Sequence, residues 1–256
     1  MRTIDLFSLK SKQGFITGAA RGIGKCIAEA YADLGANIAI VEIDIKQAQI
    51  TANEIASKYG VKCIAIECDV TSGDSVQQMI DIYEKEFGSI DFAVNNAGIA
   101  NVIPAEEISA EAFKKVVDVN LNGVFLTAQA AAKLMIKKGT KGSIINTASM
   151  SGHIVNRPQT IANYCASKGG VILLTKSLAV EWAKYGIRVN CVSPGYIATE
   201  LVAEMKDMHP LWLKDIPADR LGTPADLVGA YVFLASAASG YATGSDVVVD
   251  GGYTSI

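Results

Sequence analysis

The chain has 256 residues, half of them hydrophobic, and a formal net charge of −3. That length suits one large α/β domain, 1–256, better than two. Neither the charge balance nor any Lys/Arg block argues for nucleic acid or an anionic membrane surface as partner. Five cysteines at 26, 63, 68, 165 and 191 form no C-x-x-C pair, and His153 and His209 lie far from them in sequence. Reduced thiols in a cytoplasmic protein, and no metal, are the expectation. The N-terminal "MRTIDLFSLKSKQG" has no signal-peptide apolar core, and no segment offers about 18 uninterrupted apolar residues.

Short apolar runs alternate with helical stretches from end to end. The first strand candidate, "GFIT" (14–17), is the weakest, because Gln13 and Gly14 stand where apolar residues are expected. "TGAARGIG" (17–24) follows, with Gly18, Gly22 and Gly24 around Arg21 and Ile23, and then the helical run "KCIAEAYADLG". A turn alone needs one glycine. Three of them leave a helix N-terminus open to a phosphate, as in the first βα unit of a dinucleotide fold.

The second strand, "NIAIVE" (37–42), ends on Glu42, eighteen residues after Gly24. A carboxylate there accepts hydrogen bonds from both hydroxyls of an adenosine ribose and repels a 2′-phosphate. Asp44 competes for that role but is better placed to cap the next helix. Arg21 could favour the phosphate. Ile43 adds no cation, and a like-charge contact at Glu42 outweighs a flexible surface arginine, so NAD is the expected cofactor.

"KCIAIE" (62–67) is the third strand, and "CDVT" places Asp69 and Val70 just past it, where a carboxylate meets the adenine amino group. Thr71 with Asp74 reads as an N-cap with an acid three residues on. "DFAVN" (91–95) runs into "NNAG", so that Asn96, Ala97 and Gly98 allow a cofactor close to the backbone. "GSIINTA" (142–148), "IRVNCVS" (187–193) and "DVVVD" (246–250) complete seven strands. Thr223, Pro224 and Asp226 signal another helix start. Apolar strands alternating with helices predict a doubly wound, Rossmann-like parallel sheet with helices on both faces. The irregular stretch 195–222 is expected to be a mobile flap beside a site.

"YCASK" (164–168) puts Tyr164 and Lys168 one helical turn apart, after a strand ending in "TASMSG" with Ser149. A phenol titrates near pH 10, and an adjacent ammonium favours phenolate. Here the chain resembles the short-chain dehydrogenase/reductase family over essentially its whole length. The matching motifs are "TGAARGIG", "CDVT", "NNAG", "VNLNGVF", "SMSG", "YCASK" and "RVNCVSPG", in order and at family spacing. The resemblance implies a catalytic tetrad of Asn120, Ser149, Tyr164 and Lys168. Tyr164 would exchange a proton with the substrate and Ser149 would bond its oxygen. Lys168 would bind the nicotinamide ribose and lower the tyrosine pKa, while Asn120 would hold a water. "SPGYIAT" resembles the nicotinamide-side segment and implicates Pro194, Gly195, Ile197 and Thr199. Cys165, where the family often has a small polar residue, reads as an inert helix thiol.

The segment between Ser149 and Tyr164 carries His153, Asn156 and Gln159, neutral groups suited either to substrate hydroxyls or to bonds within the loop. Its one charge, Arg157, precedes a proline that should turn it outward. "SMSGHIVN", "SLAVEWA" and "LVGAYVFLASAASGYATGSDVVVDGGYT" resemble the sugar-alcohol dehydrogenase and ketose reductase branch. The expectation is therefore an NAD-dependent polyol dehydrogenase. A 3-oxoacyl thioester reductase is the rival enzyme, and a catalytically silent dinucleotide sensor the rival from another class. Apolar surface on the helices around 110–138 and 162–185 suggests subunit contacts, and the resemblance implies a homotetramer.

Overall fold

Seven parallel strands form one sheet in the order β3-β2-β1-β4-β5-β6-β7. They are β1 (Gln13–Thr17), β2 (Asn37–Glu42), β3 (Cys63–Glu67), β4 (Phe92–Asn95), β5 (Ser143–Thr147), β6 (Arg188–Pro194) and β7 (Asp246–Val249). The structure is a computed structural model that describes residues 2–200, 202 and 205–256. The connecting helices are α1 (Gly22–Asp33), α2 (Ile45–Tyr59), α3 (Gly73–Phe87), α4 (Ala110–Val117), α5 (Gly123–Lys138), α6 (Ala162–Trp182), α7 (His209–Leu213) and α8 (Pro224–Ala235). None of the described helices is long and apolar enough to cross a membrane.

Successive strand residues face opposite layers, which is why the strands read as apolar throughout. Ile16, Ile40, Val94, Ile145 and Val192 pack toward α1, α2 and α8. Phe15, Val41, Ala93, Ile144 and Val189 pack toward α3, α5 and α6. Each fully buried side chain of this size contributes about 1.5–3 kcal/mol, so both layers are needed.

The two residues that weaken the signal of β1 have structural uses. A Cβ on Gly14 would lie 1.9 Å from the carbonyl oxygen of Phe92, so only glycine lets β1 and β4 pair there. The Gln13 amide donates to Phe87 O (2.6 Å) and Ser89 Oγ (3.0 Å), and its main-chain N–H donates to Asp91 (3.0 Å).

Helix starts largely follow the sequence reading. Asp44 accepts from Gln47 N, and Thr223 and Asp226 form a capping box. At α3 the cap is Ser72, one residue beyond the expected Thr71, whose N–H and hydroxyl both turn back to Asp69 Oδ1. The side chain of Asp69 thereby gains a local partner that draws Thr71 out of the cap.

The stretch 195–222 is pinned at its base: Ala198 N donates to Gly222 O (2.7 Å) and Gly222 N to Tyr196 O (2.9 Å). Within it Trp212, 1 % exposed, stacks on Tyr196 with ring centroids 4.3 Å apart. Part of this expected flap, residues 201, 203 and 204, lies outside the described residues.

Candidate active site

The order of strands reverses between β1 and β4, and in open parallel sheets ligands bind at the strand ends beside such a switch. A cleft of about 430 Å³ opens there. One wall is the glycine turn, with Gly18, Arg21, Gly22 and Ile23 lining it. Gly18 and Gly22 have φ of +63° and +56°, the left-handed region that glycine adopts at little cost. A Cβ on Gly18 would come within 2.7 Å of Ala97 Cα, and one on Gly24 within 2.4 Å of Gly18 O. The side chain of Asn96 fastens this turn by donating to Thr17 O (3.1 Å) and Gly18 O (3.0 Å).

Glu42 reaches the same turn from β2. Its Oε2 accepts from Ala20 N at 3.4 Å and its Oε1 from Ile43 N at 3.0 Å. Arg21 leans the other way, with its guanidinium 3.3 Å from Gln47 Oε1 and 4.0 Å from Asp44. Glu42, Asp69, Val70 and Ala97 lie around this end of the fold but do not line the main cleft. Asp69 is occupied by Thr71, and Val70 packs where a Cβ on Gly123 would collide with it at 2.8 Å.

The opposite part of the cleft brings together Ser149, Tyr164 and Lys168. Ser149 follows β5 and caps a 3-10 turn, Met150–Gly152, accepting from Ser151 N at 3.1 Å. Tyr164 and Lys168 sit in the first turns of α6. The Lys168 ammonium lies 5.7 Å from the Tyr164 ring centre and donates to Thr147 O at 2.7 Å. Burial pushes the Lys168 pKa down to about 8. Burial also raises that of Tyr164, and Ser149 pulls it back. The Ser149 hydroxyl is the partner that favours phenolate at Tyr164 here.

Asn120, 0 % exposed, belongs to a π-helical turn, Asp118–Asn122, between α4 and α5. Such turns are frequent at functional sites. Its Oδ1 accepts from Ile99 N (2.8 Å), and its Nδ2 donates to Ile99 O (2.9 Å) and Ser167 Oγ (3.2 Å). A Cβ on Gly98 would stand 3.3 Å from Asn120 Oδ1 and 3.6 Å from Lys168 Nζ, so this glycine separates the two side chains. Pro194, Gly195, Ile197 and Thr199 complete the cleft from β6 onward.

His153, Asn156 and Gln159 do not line the cleft. His153 Nε2 is 2.6 Å from Asp246 Oδ2 on β7. Asn156 donates to the Tyr196 hydroxyl (3.1 Å), which donates to Gln159 Oε1 (2.7 Å). Each of the three makes a bond within the protein, one of the two uses open to it in sequence. Arg157 is exposed, as the following proline suggested. Cys165 is half-buried, and burial raises its thiol pKa, consistent with an unreactive group. The sequence reading passed over Ile99, Ala100, Thr147, Ala148, Glu200 and Val202, all of which line the cleft. Their only sequence signal is proximity to motifs: all lie within three residues of "NNAG", "SMSG" or "SPGYIAT".

A doubly wound sheet with a phosphate-sized glycine turn at its switch point and a tyrosine–lysine pair facing it defines a dinucleotide-dependent oxidoreductase. Residues 18–254 match a family model described as Enoyl-(Acyl carrier protein) reductase. A short-chain type dehydrogenase/reductase from Mycobacterium marinum is 52% identical, with TM-score 0.96 and 99% of each chain covered. A sorbose reductase from Candida albicans is 47% identical over 98% of this chain and 90% of its own length. A Yarrowia lipolytica protein described as "Probable NADP-dependent mannitol dehydrogenase" is 46% identical over the same shares. The chain belongs to the short-chain dehydrogenase/reductase family, whose cofactor is a nicotinamide dinucleotide. The residues present fit that group. The glycine turn leaves room beside a helix N-terminus, since among the described residues beyond its own helix and chain neighbours only Thr199 Cγ2 comes within 4 Å of a Cβ placed on Gly22, and a buried ammonium faces the other end of the cleft.

Proposed function

We propose that the protein is an NAD-linked polyol dehydrogenase that reversibly forms a ketose. The observation that carries the chemistry is the placement of Tyr164 beside a buried Lys168 and next to Ser149 in one cleft. Tyr164 moves the proton to or from the substrate oxygen, Ser149 hydrogen-bonds that oxygen, and Lys168 holds the nicotinamide ribose and stabilises phenolate. Asn120 braces the loop after β4 against α6. The dinucleotide, when bound, supplies the hydride exchange.

The sugar and sugar-alcohol names of the relatives support the polyol reading. The acyl-carrier description of the family model keeps a 3-oxoacyl thioester reductase as the rival. For the nucleotide, Glu42 supports NAD, while the mannitol dehydrogenase carries NADP in its name. Exposed Leu173 and Val180 on α6 and Phe125 on α5 support burial against further copies of the chain, as a homotetramer.

Turnover of a polyol and ketose panel, with a 3-oxoacyl thioester beside it and both nucleotides, tests the assignment. Polyol oxidation and ketose reduction with NAD(H) are expected. Thioester reduction exceeding every ketose would overturn the polyol reading.

A further inference from the structure

The residue whose carbonyl holds Lys168 is tied by its side chain to two other parts of the fold. Thr147, the last residue of β5, has its Oγ1 2.7 Å from the hydroxyl of Tyr231 on α8 and 3.4 Å from Asn96 Oδ1. We propose that Tyr231 is a positioning residue of the active site: through Thr147, its hydroxyl orients the amide that fastens the nucleotide-binding turn.

The direction of each bond can be derived. Asn96 Nδ2 donates to both Thr17 O and Gly18 O, which assigns nitrogen to the glycine turn and oxygen to Thr147. An amide oxygen only accepts, so the Thr147 hydroxyl is the donor to Asn96. That hydroxyl has one hydrogen, so Tyr231 must be the donor to Thr147. Burial leads to the same result. Tyr231 is 0 % exposed, its hydroxyl has no other partner among the described residues, and a buried O–H without an acceptor is disfavoured. Donation therefore runs one way, from Tyr231 to Thr147, to Asn96, and on to the carbonyls of Thr17 and Gly18.

These bonds decide where the turn points. With their carbonyl oxygens drawn toward Asn96, Thr17 and Gly18 are fixed in orientation, Gly18 at the wall of the cleft. The Asn96 amide also fills the space beneath α1, since a Cβ on Gly24 would lie 2.7 Å from its nitrogen. On its other side Thr147 accepts the Lys168 ammonium. One threonine thus fixes both ends of the cleft, and Tyr231 fixes the threonine. Tyr31 offers an internal comparison. It donates to the main-chain carbonyl of Tyr231 at 2.8 Å, holding α8 without entering the series of hydroxyls.

The test is the dissociation constant for reduced nucleotide, NADH or NADPH, whichever the wild type binds more tightly, read from its fluorescence on titration. It needs no substrate, so failure of the polyol assignment would not disturb it. Tyr231→Phe keeps the ring and removes the donor, and is expected to weaken binding about three- to tenfold, the loss typical of one buried hydrogen bond. Tyr31→Phe is expected to lower Tm about as much as Tyr231→Phe does, while leaving the dissociation constant within about twofold of wild type. Thr147→Ser, which retains the hydroxyl, should bind within about twofold of wild type. Thr147→Val should bind at least as weakly as Tyr231→Phe, and combining the two should add nothing further. Binding by Tyr231→Phe within about twofold of wild type would overturn the proposal. So would an equal loss in Tyr31→Phe, or full additivity of Tyr231→Phe with Thr147→Val.

Discussion

The Lys168 ammonium donates to the Thr147 carbonyl across 2.7 Å in a pocket that leaves the lysine 3 % exposed. Burial holds its pKa at about 8, below the value of about 10.4 in an unfolded chain. Between those values the unfolded state binds the proton more tightly, so this group makes the protein more stable as pH rises. Half-buried Cys63 and buried Cys68 act oppositely above about pH 9, because their thiols are pushed up to about 12 and about 11. Comparison with Lys168→Met isolates the lysine. The unfolding free energy of nucleotide-free wild type, relative to the variant, is expected to climb from pH 8 to 10, by at most about 1.4 kcal/mol per unit. Urea denaturation across that range measures it. A flat difference would mean that the ammonium is not desolvated.

Replacing Tyr164 by Phe removes the hydroxyl proposed to exchange the proton and leaves the ring's packing. A loss of about a hundredfold or more in kcat is expected, with nucleotide affinity largely kept. Steady-state turnover and nucleotide titration separate the two effects. Near-normal turnover would remove Tyr164 from the chemistry.

The contact of Glu42 with the glycine turn makes nucleotide preference testable at two positions. Wild type is expected to favour NAD by about tenfold or more in kcat/KM, on the order of 1.4 kcal/mol. The double variant Glu42→Ser with Ile43→Arg is expected to shift toward NADP. A wild type that already prefers NADP would show that Glu42 does not meet the ribose.

At Gly14 the expected effect is on folding. An added methyl meets main-chain oxygen of Phe92 at 1.9 Å, and neither strand can yield without breaking its pairing. Gly14→Ala should destabilise by about 3 kcal/mol or more, or prevent soluble expression. Thermal denaturation gives the answer, and an unchanged Tm would contradict the close approach.

Leu173 and Val180, 70 % and 79 % exposed on α6, lead to an expectation about assembly. Light scattering at micromolar concentration should give several times the chain mass, and Leu173→Glu should lower it. A wild-type monomer would refute the tetramer.

The strands were legible because burial on both faces of the central sheet demands mostly apolar residues, a pattern that competes with little else. β1 was the faintest, since Gly14 and Gln13 answer to Phe92 and to the α3–β4 turn rather than to the core. The cleft was legible where chemistry demands a residue type at a spacing, as for Tyr164 and Lys168. It was not legible where a side chain could choose among partners. His153 turns to Asp246, and Asn156 to Tyr196, because β7 and the segment after β6 pack there, which no local pattern announces. Thr147 and Tyr231 are 84 positions apart, and their bond exists only once α8 lies on the sheet.

The π turn at Asp118–Asn122 sets a limit on how this enzyme could be improved. Gly123 N–H reaches back five residues to Asp118 O, where an α-helix would reach four. The extra residue keeps Asn120 aimed at Ile99 while α5 keeps its apolar side on the sheet. Deleting one position would merge α4 and α5 into a regular helix with its two halves still in phase, but would remove the widened turn that carries Asn120. The α5 core would stay in place, and Asn120 would lose its aim at Ile99. Laboratory evolution toward a tougher protein would find smoother helices attractive at this point and lose the site by accepting one. The irregularity is a place where sequence length itself, more than residue identity, is under functional constraint.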